Sequence, residues 1–219
     1  MNKIIRRKKQ KSKILMLILN HVKENKRYYL IATLLFFIGF LIGVLFINNI
    51  KQEQLSEITE YIKELNNNLR NTEKIDYAYL LKQSIFSNIL LILIIWIASS
   101  TIIGIPVVYA EVTYRGFILG YTISSVIIAL GIKDGTFYNI STLLLHNIIF
   151  IPALLGVSVS GMKMYKSIVK NREKENIKIE FLRHTIFSVI MLILLMISSI
   201  IEVYFSTNLA KIILKFIKI

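Results

Sequence analysis

The chain has 219 residues, 55% of them apolar, no cysteine and a formal net charge of +14. The apolar share exceeds the roughly 45–50% of a soluble domain. The charges fall in blocks between long uncharged stretches rather than along one wet face of each element, which excludes an ordinary soluble fold. Without cysteine there are no disulfides and no thiolate metal sites, and basic residues that flank apolar stretches point to a membrane surface rather than to nucleic acid.

The chain opens on a basic segment, residues 1–27, with ten Lys and Arg: Lys3, Arg6, Arg7, Lys8, Lys9, Lys11, Lys13, Lys23, Lys26 and Arg27. Such a cluster meets anionic lipid on the inner side of a membrane. A membrane domain is predicted over 28–219. Its first span runs from Tyr28 to Ile47. The apolar part is too long for a signal peptide and Ile47-Asn48-Asn49 is a poor cleavage site, so the span reads as an uncleaved anchor.

An outer loop follows at 48–88. Leu55, Ile58, Ile62, Leu65 and Leu69 are spaced three, four, three, four, which is a helical seam of two heptads. Two heptads are too few for a coiled coil alone. The helix therefore docks on its own membrane domain, on a second copy of the chain in a homo-oligomer, or on a partner outside the membrane.

Four more spans are predicted: Ile89 to Ala110, Gly116 to Ile132, Ile140 to Gly161, and His184 to Phe205. The third and fourth are divided only by a turn at Lys133 to Asn139. Small residues recur at every fourth position: Gly39 and Gly43, then Ser100 and Gly104, then Gly116, Gly120 and Ser124, then Gly156 and Ser160. This spacing lets a second helix backbone approach closely, from the same chain or from another membrane protein. Pro106 and Pro152 sit in similar contexts, and each is expected to kink its span; the match suggests a weak parallel repeat of spans two and three against four and five. His146 and Asn147 are the most polar neighbours inside a span, either hydrogen-bonded to another helix or functional. Glu111 and Glu202 are placed at span ends, with no acid within the spans. A single histidine makes no metal site, and no motif for a cofactor, a phosphate or a nucleophile is present.

A cytoplasmic loop is expected at 162–183, and an amphipathic tail at 207–219 lying along the outer interface. With the N-terminus inside, Lys and Arg number 18 on the cytoplasmic side and nine on the outer side. This bias predicts an all-α, five-span protein of the plasma membrane, N-terminus in and C-terminus out.

The order of features resembles the stage II sporulation protein M family. The resemblance is carried by a basic start, one span, a forty-residue outer loop, Trp96 to Val108 (WIASSTIIGIPVV), Arg115 to Tyr121 (RGFILGY), His146 to Ala153 (HNIIFIPA) and Ile201 to Ser206 (IEVYFS). It covers nearly the whole chain. The wider superfamily often has Pro-His-Gly and then an acid before Ile-Pro-Ala; here Leu145, Asn147 and Phe150 stand in those places, as in the sporulation branch. The resemblance implies a non-enzymatic scaffold in the sporulation septum. Its implied partners, besides membrane lipids, are stage II sporulation proteins D and P, which cleave peptidoglycan. Relatives linked to circular bacteriocins offer the alternative, a component for peptide export or maturation or a small transporter subunit.

Overall fold

The computed structural model describes residues 13–72, 74–101, 103–170 and 174–217. Among these the chain is helical throughout. The elements are α1 (Lys13–Glu24), α2 (Lys26–Asn49), α3 (Gln52–Asn71), α4 (Tyr77–Ser99), α5 (Gly104–Leu130), α6 (Ile132–Lys170), α7 (Lys174–Ile200), a π-helical turn (Ile201–Ser206) and α8 (Thr207–Leu214). Five helices, namely α2, α4, α5, α6 and α7 with its extension, are long and apolar enough to cross a membrane. Their outward faces are apolar, with Leu30, Leu34, Phe37, Leu41 and Leu45 exposed along α2 alone. That is the belt a bilayer covers.

Several boundaries differ from those expected, each for a local reason. Span two ends at Ser99, not Ala110. Ser99, Ser100 and Thr101 each turn a hydroxyl back to a carbonyl three or four residues earlier, which competes with continuing the helix. Ser100 is the cap of α4 and Gly104 the first residue of α5, so they flank a turn and do not share a helix face. A side chain at Gly104 would strike the backbone at Ala98. Pro106 is the third residue of α5. The first N–H groups of a helix have no partner within it, so Pro106 fits without kinking anything. Pro152 lies well inside α6, which continues past it. The two prolines hold different places on successive helices, so they no longer support a repeat.

The turn expected at Lys133 to Asn139 is the start of α6. Only Gly131 separates α5 from α6, at φ 85° and ψ 161°, a conformation natural to glycine. Gly135 then lies against the backbone of Val126 and Ile127, and the Asn139 amide donates to the Ile123 carbonyl at 3.0 Å. At about 1.5 Å per residue α6 is roughly 58 Å long, well beyond the ~30 Å hydrocarbon core. It takes in the first part of the predicted loop 162–183. Likewise α4 begins at Tyr77, inside the predicted loop 48–88, where the Asp76 carboxylate caps Tyr79 N–H at 2.9 Å. The tail is not a separate surface helix: α7, the π turn and α8 form one continuous rod, with αR backbone at both junctions. Ala210, Ile213 and Leu214 are buried, and Lys211 donates to the Thr72 carbonyl at the end of α3.

The core lies among α4, α6 and α7, where Leu91, Ile95, Leu154, Val157, Met191 and Leu195 are buried. Helix α5 packs on this core through Val108, and α2 packs on α5. The α2–α5 seam is backbone on backbone. Gly39 and Gly43 face the Thr113 and Phe117 carbonyls, and Gly116 and Gly120 face the Phe36 and Phe40 carbonyls. Both number series rise together, so α2 and α5 run parallel. Gly156 instead meets Met191 and Phe187 of α7, and Ser160 is in hydrogen-bond range of His184 Nδ1 at 3.0 Å.

Candidate functional site

The new boundaries move charge into the bundle. Glu111 and Arg115 lie within α5 rather than in a loop, and Glu202 lies in the π turn of the long α7 rod. The expectation that no acid lies within the spans is overturned. Charges inside a bilayer are costly and mark function more often than packing. Here Arg115 Nε bonds Glu111 Oε1 at 2.9 Å across one helical turn. This i,i+4 pair lowers the cost of carrying both into the membrane.

A cavity of about 430 Å³ opens beside this pair. Gln83, Ser84 and Asn88 of α4 line it, with Arg115 and Thr122 of α5, His146 and Asn147 of α6, and Glu202 of the π turn. Asn88 Nδ2 lies 2.8 Å from Ser199 Oγ, Ser199 Oγ 2.9 Å from Ser84 Oγ, and Ser84 Oγ 2.7 Å from Glu202 Oε2. Each hydroxyl has one proton, the amide nitrogen only donates, and an ionised carboxylate only accepts. One ordering satisfies the whole chain: Asn88 to Ser199 to Ser84 to Glu202. Every donor in it points toward the carboxylate.

His146 contributes an imidazole whose Nδ1 has no partner among the described residues, while its backbone carbonyl accepts from Ser198 at 3.0 Å. The Asn147 amide bonds back to the Leu143 carbonyl at 2.8 Å. Glu202 and His146 also line an adjoining cavity of about 570 Å³ beneath α3. Its other walls include Ile58, Ile62, Leu65 and Leu69 of the α3 seam, with Val126 and Ala210 opposite. Leu55 lies apart, in a shallower groove beside Ile128. The seam thus faces the chain's own membrane domain and roofs the polar chamber with apolar side chains. The structure brings His146 and Asn147 together with Ser84, Asn88 and Ser199, which the sequence did not single out, and with Arg115 and Glu202, which it placed outside the spans. The small-residue rows lie elsewhere, in the α2–α5 and α6–α7 contacts. Ser124 is buried in α5.

At the opposite end of the bundle α1 folds back onto the helices. The His21 ring stacks on Phe187 with centroids 4.1 Å apart, and its Nδ1 is 3.1 Å from the Tyr29 hydroxyl. Burial, with the Lys163 charge adding to it, holds the His21 imidazole down at about 4. Among the described residues no three His, Asp or Glu side chains come together as a metal site.

The model of the Stage II sporulation protein M family matches residues 32–207, from the second turn of α2 to the first residue of α8. The chain belongs to the Stage II sporulation protein M family. The match takes in the α2–α5 seam, α3 and every residue of the chamber. The chain is also 28% identical, over 190 residues, to an uncharacterized protein of Methanocaldococcus jannaschii, MJ0793. That alignment covers 83% of this chain and 94% of the relative. No solved structure matches it. Family and fold together make this a multi-pass helical membrane protein related to sporulation.

Proposed function

We propose that the chain is a membrane scaffold of the engulfment machinery, holding peptidoglycan-degrading partners, stage II sporulation proteins D and P, at the sporulation septum. The observation that carries this is the family match, which runs through all five spans. The architecture suits the role. The α2–α5 seam is backbone on backbone, as is the α5–α6 turn at Gly135, which stiffens the bundle as a platform. Helix α3 lies across one end and turns a polar face outward, with Glu53, Glu60, Lys63, Glu64 and Asn67 exposed. In this reading the chain holds and positions, and the partners cut. The test is a pull-down of the tagged full chain from sporulating cells, with imaging of the septum. Both partners co-purify, and they leave the septum when the chain is deleted. Partners absent from the pull-down and unmoved by the deletion would sink the proposal.

The polar chamber favours a second reading, a membrane component for export or maturation of a peptide such as a circular bacteriocin, or a small transporter subunit. A scaffold needs no chamber, whereas transport folds place their sites within the bilayer. A peptide precursor gene and an ATPase gene beside this one would favour that reading over a sporulation neighbourhood.

A further inference from the structure

We infer that the polar chamber binds a small zwitterion with an apolar side chain, a free amino acid or a dipeptide. The inference goes beyond the scaffold reading and does not depend on it. Arg115 and Glu202, of opposite charge and on different helices, line the same 430 Å³ space without pairing with each other. Arg115 commits only its Nε to Glu111; its terminal nitrogens have no hydrogen-bond partner among the described residues. Glu202 receives Ser84 on one oxygen, and among the described residues no Lys or Arg lies in ion-pair range of it.

A carboxylate left without an ion-pair partner in a low-dielectric interior is costly, and the Arg115 guanidinium, paired to Glu111 through Nε alone, keeps two terminal nitrogens free to donate. A ligand carboxylate satisfies both terminal Arg115 nitrogens at once, and a ligand ammonium satisfies the open Glu202 oxygen. An anion alone leaves Glu202 unmatched, and a cation alone leaves the terminal Arg115 nitrogens without an acceptor. The adjoining space under α3, lined by Ile62 and Leu65 and opening onto Glu202, takes an apolar side chain. Glu202 itself sits in a π-helical turn, a distortion frequent at functional sites.

The test uses the full chain in lipid nanodiscs, with calorimetric titration of L-leucine and leucyl-leucine. At least one of the two binds saturably at one site per chain. N-acetyl-leucine, which lacks the ammonium, and leucinamide, which lacks the carboxylate, each bind roughly 10–100-fold more weakly, the loss of one charge-assisted contact. Glu202→Gln, and the paired Glu111→Gln with Arg115→Gln that leaves no orphan charge, weaken the zwitterion by a similar factor. If either variant unfolds, the two blocked leucines still decide the question on the unaltered protein. No saturable binding of either zwitterion overturns the proposal, and so does equal binding of the blocked forms. Partner recovery is not read in this experiment, so its failure leaves the scaffold proposal where it stood.

Discussion

Ser84 of α4 and Glu202 of the π turn meet at 2.7 Å, 118 residues apart in the chain. Their contact ties the first half of the bundle to the last helix at the edge of the chamber. Ser84→Ala removes the donor next to the carboxylate and leaves Ser199 without its acceptor. The cost is about 1–3 kcal/mol, the usual penalty for a buried polar group that loses its partner. Ser84→Thr keeps the hydroxyl and restores most of the loss. Thermal unfolding in detergent distinguishes the two; equal melting of Ala and Thr variants would mean that water replaces the hydroxyl.

Gly120→Ile is expected to destabilise the protein more than Ile118→Ala. A side chain at Gly120 meets the Phe40 backbone, which cannot swing aside. The overpacking cost is on the order of 1–3 kcal/mol or above, whereas Ile118 is only half-buried. Melting in detergent reads both variants, and a Gly120→Ile protein as stable as the unaltered one would rule out the close α2–α5 seam.

Changing Ile58 and Ile62 together to Asp places two charges against the apolar wall under α3. The helix lifts while the spans still insert. The chain has no cysteine, so Thr122→Cys adds a single reactive thiol in the cavity wall. Labelling of that thiol by a water-soluble maleimide rises severalfold in the double Asp variant. Unchanged labelling would show that α3 does not cover the chamber.

His21 predicts a pH response at the other end. Its folded value, about 4, lies below the ordinary 6.5 because of burial and the neighbouring Lys163 charge. The undocked helix therefore takes up a proton more readily than the docked one. Stability from α1 docking is fully present above about pH 6.5 and is lost as pH falls toward 4. A spin label at Val22→Cys becomes more mobile over that window, and His21→Phe, which keeps a ring against Phe187, removes the response. Mobility that stays flat from pH 7.5 to 4.5 would contradict it.

Reporter fusions after Asn68 and after Ile219 should both report an outside location, as the excess of basic residues at the α1 end requires. A cytoplasmic signal at either position would reverse or break the proposed topology.

Five apolar runs, a docked amphipathic helix and the Gly39, Gly43, Gly116 and Gly120 rows were all legible in the order of residues. The chamber was not. Spans drawn to avoid charge ended at Ala110 and began again at Gly116, which put Glu111 and Arg115 in a loop. A signal against that placement was present: Ser99-Ser100-Thr101 followed by Gly104-Ile105-Pro106 reads as a helix stop and a new first turn. The four-residue spacing of Glu111 and Arg115 is that of a self-neutralising pair. Glu202 looked like a span end because no local pattern announces a π turn. Its partner Ser84, and Asn88 behind that through Ser199, are joined to it only by the fold.

The single-residue turn at Gly131 also bears on how the protein is made. Helix α5 is the least apolar of the five spans and carries an ion pair. With no loop between them, α5 and α6 cannot be handed to the bilayer one at a time. They enter as a closed hairpin, and the strongly apolar second arm draws the weaker first arm across with it.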